Sequence, residues 1–185
     1  MHPAALNCQS VSTCKSGKML KIAVVFLAII VAVLGACDTP KPIANFDKKQ
    51  YTGLWYIHTV AGQPVIPVNP CFMVDISGDK YTMKLTSKDG SGKIKTIIAE
   101  EISSDGAAFK ISAVGKTLLF TVLDTDYKTY ASVHVCDTGD QNQLLSVTLR
   151  SPKVDASLIS EELDAAQKML SSPVSGRTDS DFSGC

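Results

Sequence analysis

Cysteine and histidine are the residues of this chain with the most chemistry to offer. Cys8 and Cys14 precede a long apolar run, and Cys37, Cys71, Cys136 and Cys185 follow it. The later four stand tens of residues apart, whereas a thiolate metal site wants close spacings such as C-x₂-C. They therefore predict disulfides and no metal site. An even number in an oxidising compartment gives two bonds, and the sequence alone leaves three pairings open. A bonded cysteine is no nucleophile, because the free thiolate is the reactive form. Of the histidines, His2 lies ahead of the apolar run, while His58 and His134 sit in strand-like stretches and are expected to face solvent. Glu161-Glu162 and Asp179/Asp181 read as solvated charge. No catalytic residue is assigned. The chain reads as a binding protein, not an enzyme.

The elements that must position these residues begin after a leader. Ile22 to Ala36 is uninterrupted apolar sequence preceded by Lys15, Lys18 and Lys21, and it ends in the small residues Gly35-Ala36. A membrane-spanning helix needs about 20 such residues. A shorter run with a basic front and a small-residue exit predicts a signal peptide over residues 1–36, cut before Cys37. Met1–Lys18 is a polar extension ahead of a complete signal, so Met19 is the expected initiator. No second apolar run follows, so no membrane span is expected in the mature protein. From Cys37 onward there are 15 basic and 18 acidic residues, a net charge of −3. Such a body has no electrostatic footprint for nucleic acid.

The mature part, 37–185, is one domain of short runs divided by turn residues. Gly53–Val60 reads as a first strand, ended by Gly62 and the Pro64/Pro67/Pro70 loop. Phe72–Ser77 and Tyr81–Leu85 alternate apolar and polar residues about the Gly78-Asp79 turn. Ile94, Thr96 and Ile98 alternate against Lys93 and Lys95. Phe109–Ser112, Leu118–Leu123, Tyr127–Cys136 and Leu144–Arg150 complete about eight strands at meander spacing. Period two with one apolar face marks half-buried antiparallel strands. Ser157–Ser171 breaks the period, placing Leu158, Ile159, Leu163, Ala166, Met169 and Leu170 at helical spacings, with Glu161, Glu162 and Asp164 expected in its first turn. The predicted architecture is all-β: an eight-stranded up-and-down antiparallel barrel with one C-terminal helix packed outside.

Three local motifs agree with that order. Tyr51-Thr52-Gly53-Leu54-Trp55-Tyr56 resembles the first lipocalin signature, Thr125-Asp126-Tyr127 resembles the second, and Arg150 resembles the basic residue of the third. The similarity is closest to the insect bilin-binding and insecticyanin-like lipocalins, with apolipoprotein D more distant. Cys37-Asp38-Thr39-Pro40 through Phe46-Asp47 resembles their N-terminal arm, and Ser180-Asp181-Phe182 through Cys185 resembles their tail. The resemblance implies the pairings Cys37–Cys136 and Cys71–Cys185. It gives Gly53, Trp55, Thr125, Asp126, Tyr127 and Arg150 a structural role at a closed end, Arg150 lying across the Trp55 indole by cation–π attraction. Neither Trp55 nor Arg150 is expected to touch ligand.

An eight-stranded barrel holds one small ligand. Strand parity points Phe72, Tyr81, Met83 and Leu85 inward, with Val133 and Val135 inside and His134 outside. Parity from Arg150 adds Thr148 and Ser146, and the Tyr81 hydroxyl is the expected polar contact. Ile57 stands where relatives have a carboxylate, and Ser146 where one has a large aromatic. Both changes weigh against biliverdin itself and predict a wider, greasier pocket. The resemblance implies a secreted, extracellular carrier. Its partner is a small hydrophobic molecule: a bilin or other tetrapyrrole, a retinoid, a sterol or a fatty acid. No cofactor is required, and a cell-surface receptor is a further partner. Two alternatives stand beside the carrier, a lipoprotein anchored through Cys37 and a protein-interaction or inhibitor lipocalin with a filled barrel.

Overall fold

The computed structural model describes residues 37–185, so the expected leader, its start at Met19, His2, Cys8 and Cys14 lie outside the described residues. A short helix α1 (Lys48–Tyr51) leads into strands β1 (Gly53–Gly62), β2 (Met73–Ser77), β3 (Thr82–Lys88) and β4 (Ile94–Asp105). Strands β5 (Ala108–Ala113), β6 (Lys116–Thr125), β7 (Tyr130–Asp137) and β8 (Gln143–Leu149) follow, then helix α2 (Ala156–Gln167) and strand β9 (Arg177–Asp179). Each of β2 to β8 is hydrogen-bonded to the next, and β1 pairs antiparallel with both β2 and β8. That double pairing closes the meander into an eight-stranded barrel and leaves no free edge among β1–β8. Strand β9 adds outside the closure, Val60 opposite Thr178.

The barrel has a core on each side of one wall. On β8, Leu144, Ser146 and Thr148 face inward, while Leu145, Val147 and Leu149 face out and are covered by α2. The helix does this with Ile159, Leu163 and Ala166, spaced to share one face, and Leu170 follows in the next turn. Asp155 caps it by accepting from the Leu158 amide at 3.1 Å. Because the helix starts at Ala156, no acidic residue falls in its first turn, contrary to the expectation for Glu161, Glu162 and Asp164. Among the described residues no helix is long and apolar enough to cross a membrane.

Two strands depart from simple alternation. In β1 the pairing with β8 slips between Ile57 and Thr59, leaving His58 as the extra residue of a bulge. Ile57 and Val60 therefore both point inward, although the two residues between them would put them on opposite faces of a regular strand. In β4 the apolar alternation of Ile94, Thr96 and Ile98 against Lys93 and Lys95 does not mark a buried face, because all three face out, with Ile94 63% and Ile98 48% exposed. The pairing of Met83 with Ala99 and Leu85 with Ile97 sets the phase. Ile97-Ile98-Ala99 is apolar on both faces, so alternation within β4 does not specify which side is buried.

A candidate ligand cavity above a closed end

At the bottom of the barrel α1 crosses the opening, and Tyr51 and Trp55 are fully buried beneath the core. The Trp55 indole donates to the Tyr51 carbonyl at 2.9 Å. The Arg150 guanidinium lies 3.6 Å from the indole centroid, with its N–H groups spent on carbonyls: Tyr127 at 3.1 Å, Leu54 at 3.0 Å and Gln50 at 3.1 Å. Gly53 has φ +95, and a Cβ there would stand 3.2 Å from Arg150 Nη1, which is why this strand enters on glycine. The 125–127 turn completes the assembly. Asp126 accepts from the amides of Lys128, Thr129 and Tyr130 at 3.0, 2.7 and 3.1 Å. Thr125 Oγ1 accepts from the Tyr127 amide at 2.9 Å, and the turn so held presents the Tyr127 carbonyl to Arg150.

Tyr81 belongs to this plug and not to a ligand site. Its hydroxyl donates to the Lys48 carbonyl at 2.6 Å, and its ring stacks on Phe109 with centroids 5.1 Å apart. Its amide donates to Glu101 at 2.9 Å, and the same carboxylate holds the Lys48 ammonium at 2.6 Å. The expectation that Tyr81 offers ligand a polar tip is thereby corrected, because α1 reaches the hydroxyl first.

Above the plug is a cavity of about 110 Å³. Phe72, Met83, Leu85, Val133, Val135 and Ser146 line it, as parity predicted, and Ile57 and Thr148 join them. Trp55 lines it too, so the closed end is also the floor of the cavity, contrary to expectation. Sequence reasoning missed the ceiling, where Pro64, Val65 and Ile66 of the β1–β2 loop fold over the opening. It also missed the far wall of Ile111, Ala113, Leu118 and Phe120, which the alternation Phe109–Ile111–Ala113 could have marked. Every lining side chain is uncharged. The pocket is greasy as predicted, but it is not wide: ordinary ligand sites enclose roughly 300–1,000 Å³.

The disulfides Cys37–Cys136 and Cys71–Cys185 fix arm and tail to the barrel's outside, and these segments bury both histidines, which are only 2% and 1% exposed. His58 donates from Nε2 to the Ser151 carbonyl at 2.8 Å, with Phe182 against its ring. Gln143 Oε1 accepts from the Asp38 amide at 2.7 Å, so it must be the amide oxygen, and His134 Nε2 at 3.0 Å must donate to it. His134 Nδ1 then has no partner among the described residues. Burial pushes both imidazoles below the ordinary 6.5. A histidine depressed in the fold costs nothing above its unfolded pKa and destabilises as pH falls below it. The unfolding free energy from urea titration is therefore expected to fall between pH 7 and pH 5.5, by at most about 1.4 kcal/mol per histidine per pH unit. His134→Gln should flatten that slope. A slope unchanged in the variant would place the pH dependence elsewhere.

No known family model matches the sequence. Procalin from Hospesneotomae protracta is 29% identical over 127 residues, 63% of this chain and 73% of that protein. The fold is similar to apocrustacyanin C1 (TM-score 0.65, 16% identity, 81% of this chain and 90% of that one). It is also similar to lobster apocrustacyanin A1 (TM-score 0.61, 17% identity, 82% and 94%). The amine-binding protein of Rhodnius prolixus, in its tryptamine complex, aligns with TM-score 0.61 and 24% identity over 78% of this chain and 85% of that one. With the closed eight-stranded meander, the outer helix and the Arg150–Trp55 floor, the chain is a lipocalin in fold.

Proposed function

We propose that this protein is a secreted carrier that holds one small hydrophobic molecule inside its barrel, a binding protein rather than an enzyme. The observation that supports it is the uncharged cavity, walled by inward strand residues and shut below by Trp55. The reading includes removal of residues 1–36 before Cys37, and two disulfides suit an oxidising compartment. An anchor on Cys37 is disfavoured, because acylating it would break its bond to Cys136.

The volume bears on the ligand. About 110 Å³ is of the order of a void that takes a single benzene ring. A molecule burying about 200 Å² of apolar surface gains on the order of 5 kcal/mol before association costs. Compact ligands are thus favoured while the loop stands as it does. A tetrapyrrole, retinoid or sterol is the larger alternative and needs Pro64–Ile66 lifted from the opening.

Charging the wall tests the carrier. Met83→Lys or Val135→Asp places an unpaired charge in an apolar site, a cost of several kcal/mol that a hydrophobic ligand cannot offset. Binding of a panel from single-ring compounds to tetrapyrroles should fall at least a hundredfold in variants whose circular dichroism is native. Equal binding to variant and wild type would put the ligand outside the barrel. Failure of the whole panel, with no adduct in native mass spectra of protein from its source, would favour the protein-interaction reading.

A further inference from the structure

One group in the cavity has nothing to bond. Ser146 is 5% exposed, lines the cavity, and its hydroxyl has no hydrogen-bond partner among the described residues. Its neighbours across the sheet are Val133 on β7 and Val60 on β1, which offer only hydrocarbon side chains. Thr148, next along the same face of β8, turns its hydroxyl to the Ala131 carbonyl at 3.2 Å. The wall can satisfy a hydroxyl from its own backbone, then, and at Ser146 it does not. A buried hydroxyl without a partner is unfavourable, and the loss is recovered when an incoming molecule supplies the bond.

Charge on the ligand is excluded by the same surroundings. An ammonium or carboxylate in the cavity would meet no counter-charge, and desolvating an unpaired ion is far costlier than desolvating a neutral polar group. The charged groups of the closed end are already engaged: Arg150 on carbonyls and the indole, and Lys48 with Glu101.

We propose that the cavity selects a compact, neutral, largely apolar molecule with a single hydrogen-bonding group, an alcohol, phenol or carbonyl, docked on the Ser146 hydroxyl. This rests on the carrier reading and sharpens it. It separates this chain from an amine carrier, because a protonated amine would find one neutral hydroxyl to accept from it but no carboxylate to balance its charge.

Benzene, phenol and benzylamine probe the idea by NMR titration of the full secreted protein. They share one ring and differ in having no polar group, a neutral one and a cationic one. Wild type should bind phenol at least as tightly as benzene, with shifts centred on Ser146, Val133 and Val60, and bind benzylamine at least a hundredfold more weakly. Ser146→Ala should weaken phenol roughly tenfold, the worth of one neutral hydrogen bond whose loss strands the partner, and leave benzene unchanged. Ser146→Thr keeps the hydroxyl and should keep the preference for phenol. Should the alanine variant not fold, the wild-type order of benzene and phenol with the site of the shifts decides alone. Benzene bound well above phenol in wild type, phenol unaffected by a folded alanine variant, or benzylamine equal to phenol would each overturn the proposal while leaving the carrier intact. Absence of binding by both benzene and phenol would overturn this proposal, and the carrier reading would fall with it only if the larger compounds of the panel failed to bind as well.

Discussion

Replacing Trp55 with alanine is expected to cost about 3–5 kcal/mol of unfolding free energy, the range for deleting a large core aromatic. Trp55 is wholly buried, packs on Tyr51 with centroids 5.2 Å apart, and donates to the Tyr51 carbonyl. Its loss also removes the face on which the Arg150 guanidinium rests, so a half-buried cation loses its best contact. Because the indole floors the cavity, the void it leaves joins the ligand space. The variant should therefore gain affinity for a two-ring probe such as naphthalene relative to benzene, in whatever fraction folds. Urea unfolding and parallel titrations check both effects. Undiminished stability would mean that the closed end is not organised around the indole. Lost stability with no change in the size of ligand accepted would mean that the floor collapses into the void.

Paired serine substitution of Cys71 and Cys185 is the second large effect. The bond spans 114 residues, and the chain-entropy account gives loops of that length about 4–5 kcal/mol. Here it also holds the tail in place. The Cys71 amide donates to the Asp181 carbonyl and the Ser180 amide to the His58 carbonyl, each at 2.9 Å, and Phe182 covers the His58 ring. Without the bond, β9 should fray, its amides should exchange faster, and His58 should regain solvent and much of its ordinary pKa. Removing Cys37–Cys136, which spans 99 residues, should cost a similar amount but leave the tail protected. There the casualty is the arm, where the Asp38 carboxylate accepts from the Ser171 amide at 2.7 Å and ties the arm to the segment that follows α2. Urea midpoints and hydrogen exchange separate the two. Equal protection of residues 177–180 with and without Cys71–Cys185 would show that β9 is held by β1 alone.

How much of this was legible in the sequence depended on how local the cause was. Period two in Phe72–Ser77 and in Tyr81–Leu85 followed from neighbours one and two residues away, and both strands formed with the expected faces inward, Tyr81 included. The glycine of the first signature and the 125–127 turn came from the resemblance, and the structure supplies their reasons, a positive φ beside Arg150 and a carboxylate accepting from nearby amides. Cysteine number indicated two disulfides. Their pairing came from the resemblance, because spacing does not say which thiols meet.

Tertiary structure decided the rest, and in each case the deciding partner is remote in the chain. Ile94 and Ile98 face solvent because β3, through Met83 and Leu85, sets the register of an ambiguous strand. Tyr81 gives its hydroxyl to Lys48, 33 residues earlier, so an inward side chain became part of the floor and not of the ligand site. The histidines point outward as parity required, but tail and arm close over them, and outward on a strand is not the same as wet. The cavity's size and its unpartnered serine are the furthest from sequence of all. Volume is what remains after every inward side chain and the 64–66 loop have been placed together. Whether a hydroxyl is satisfied depends on a carbonyl across the sheet lying within a few tenths of an ångström of bonding distance, which residue identity does not encode.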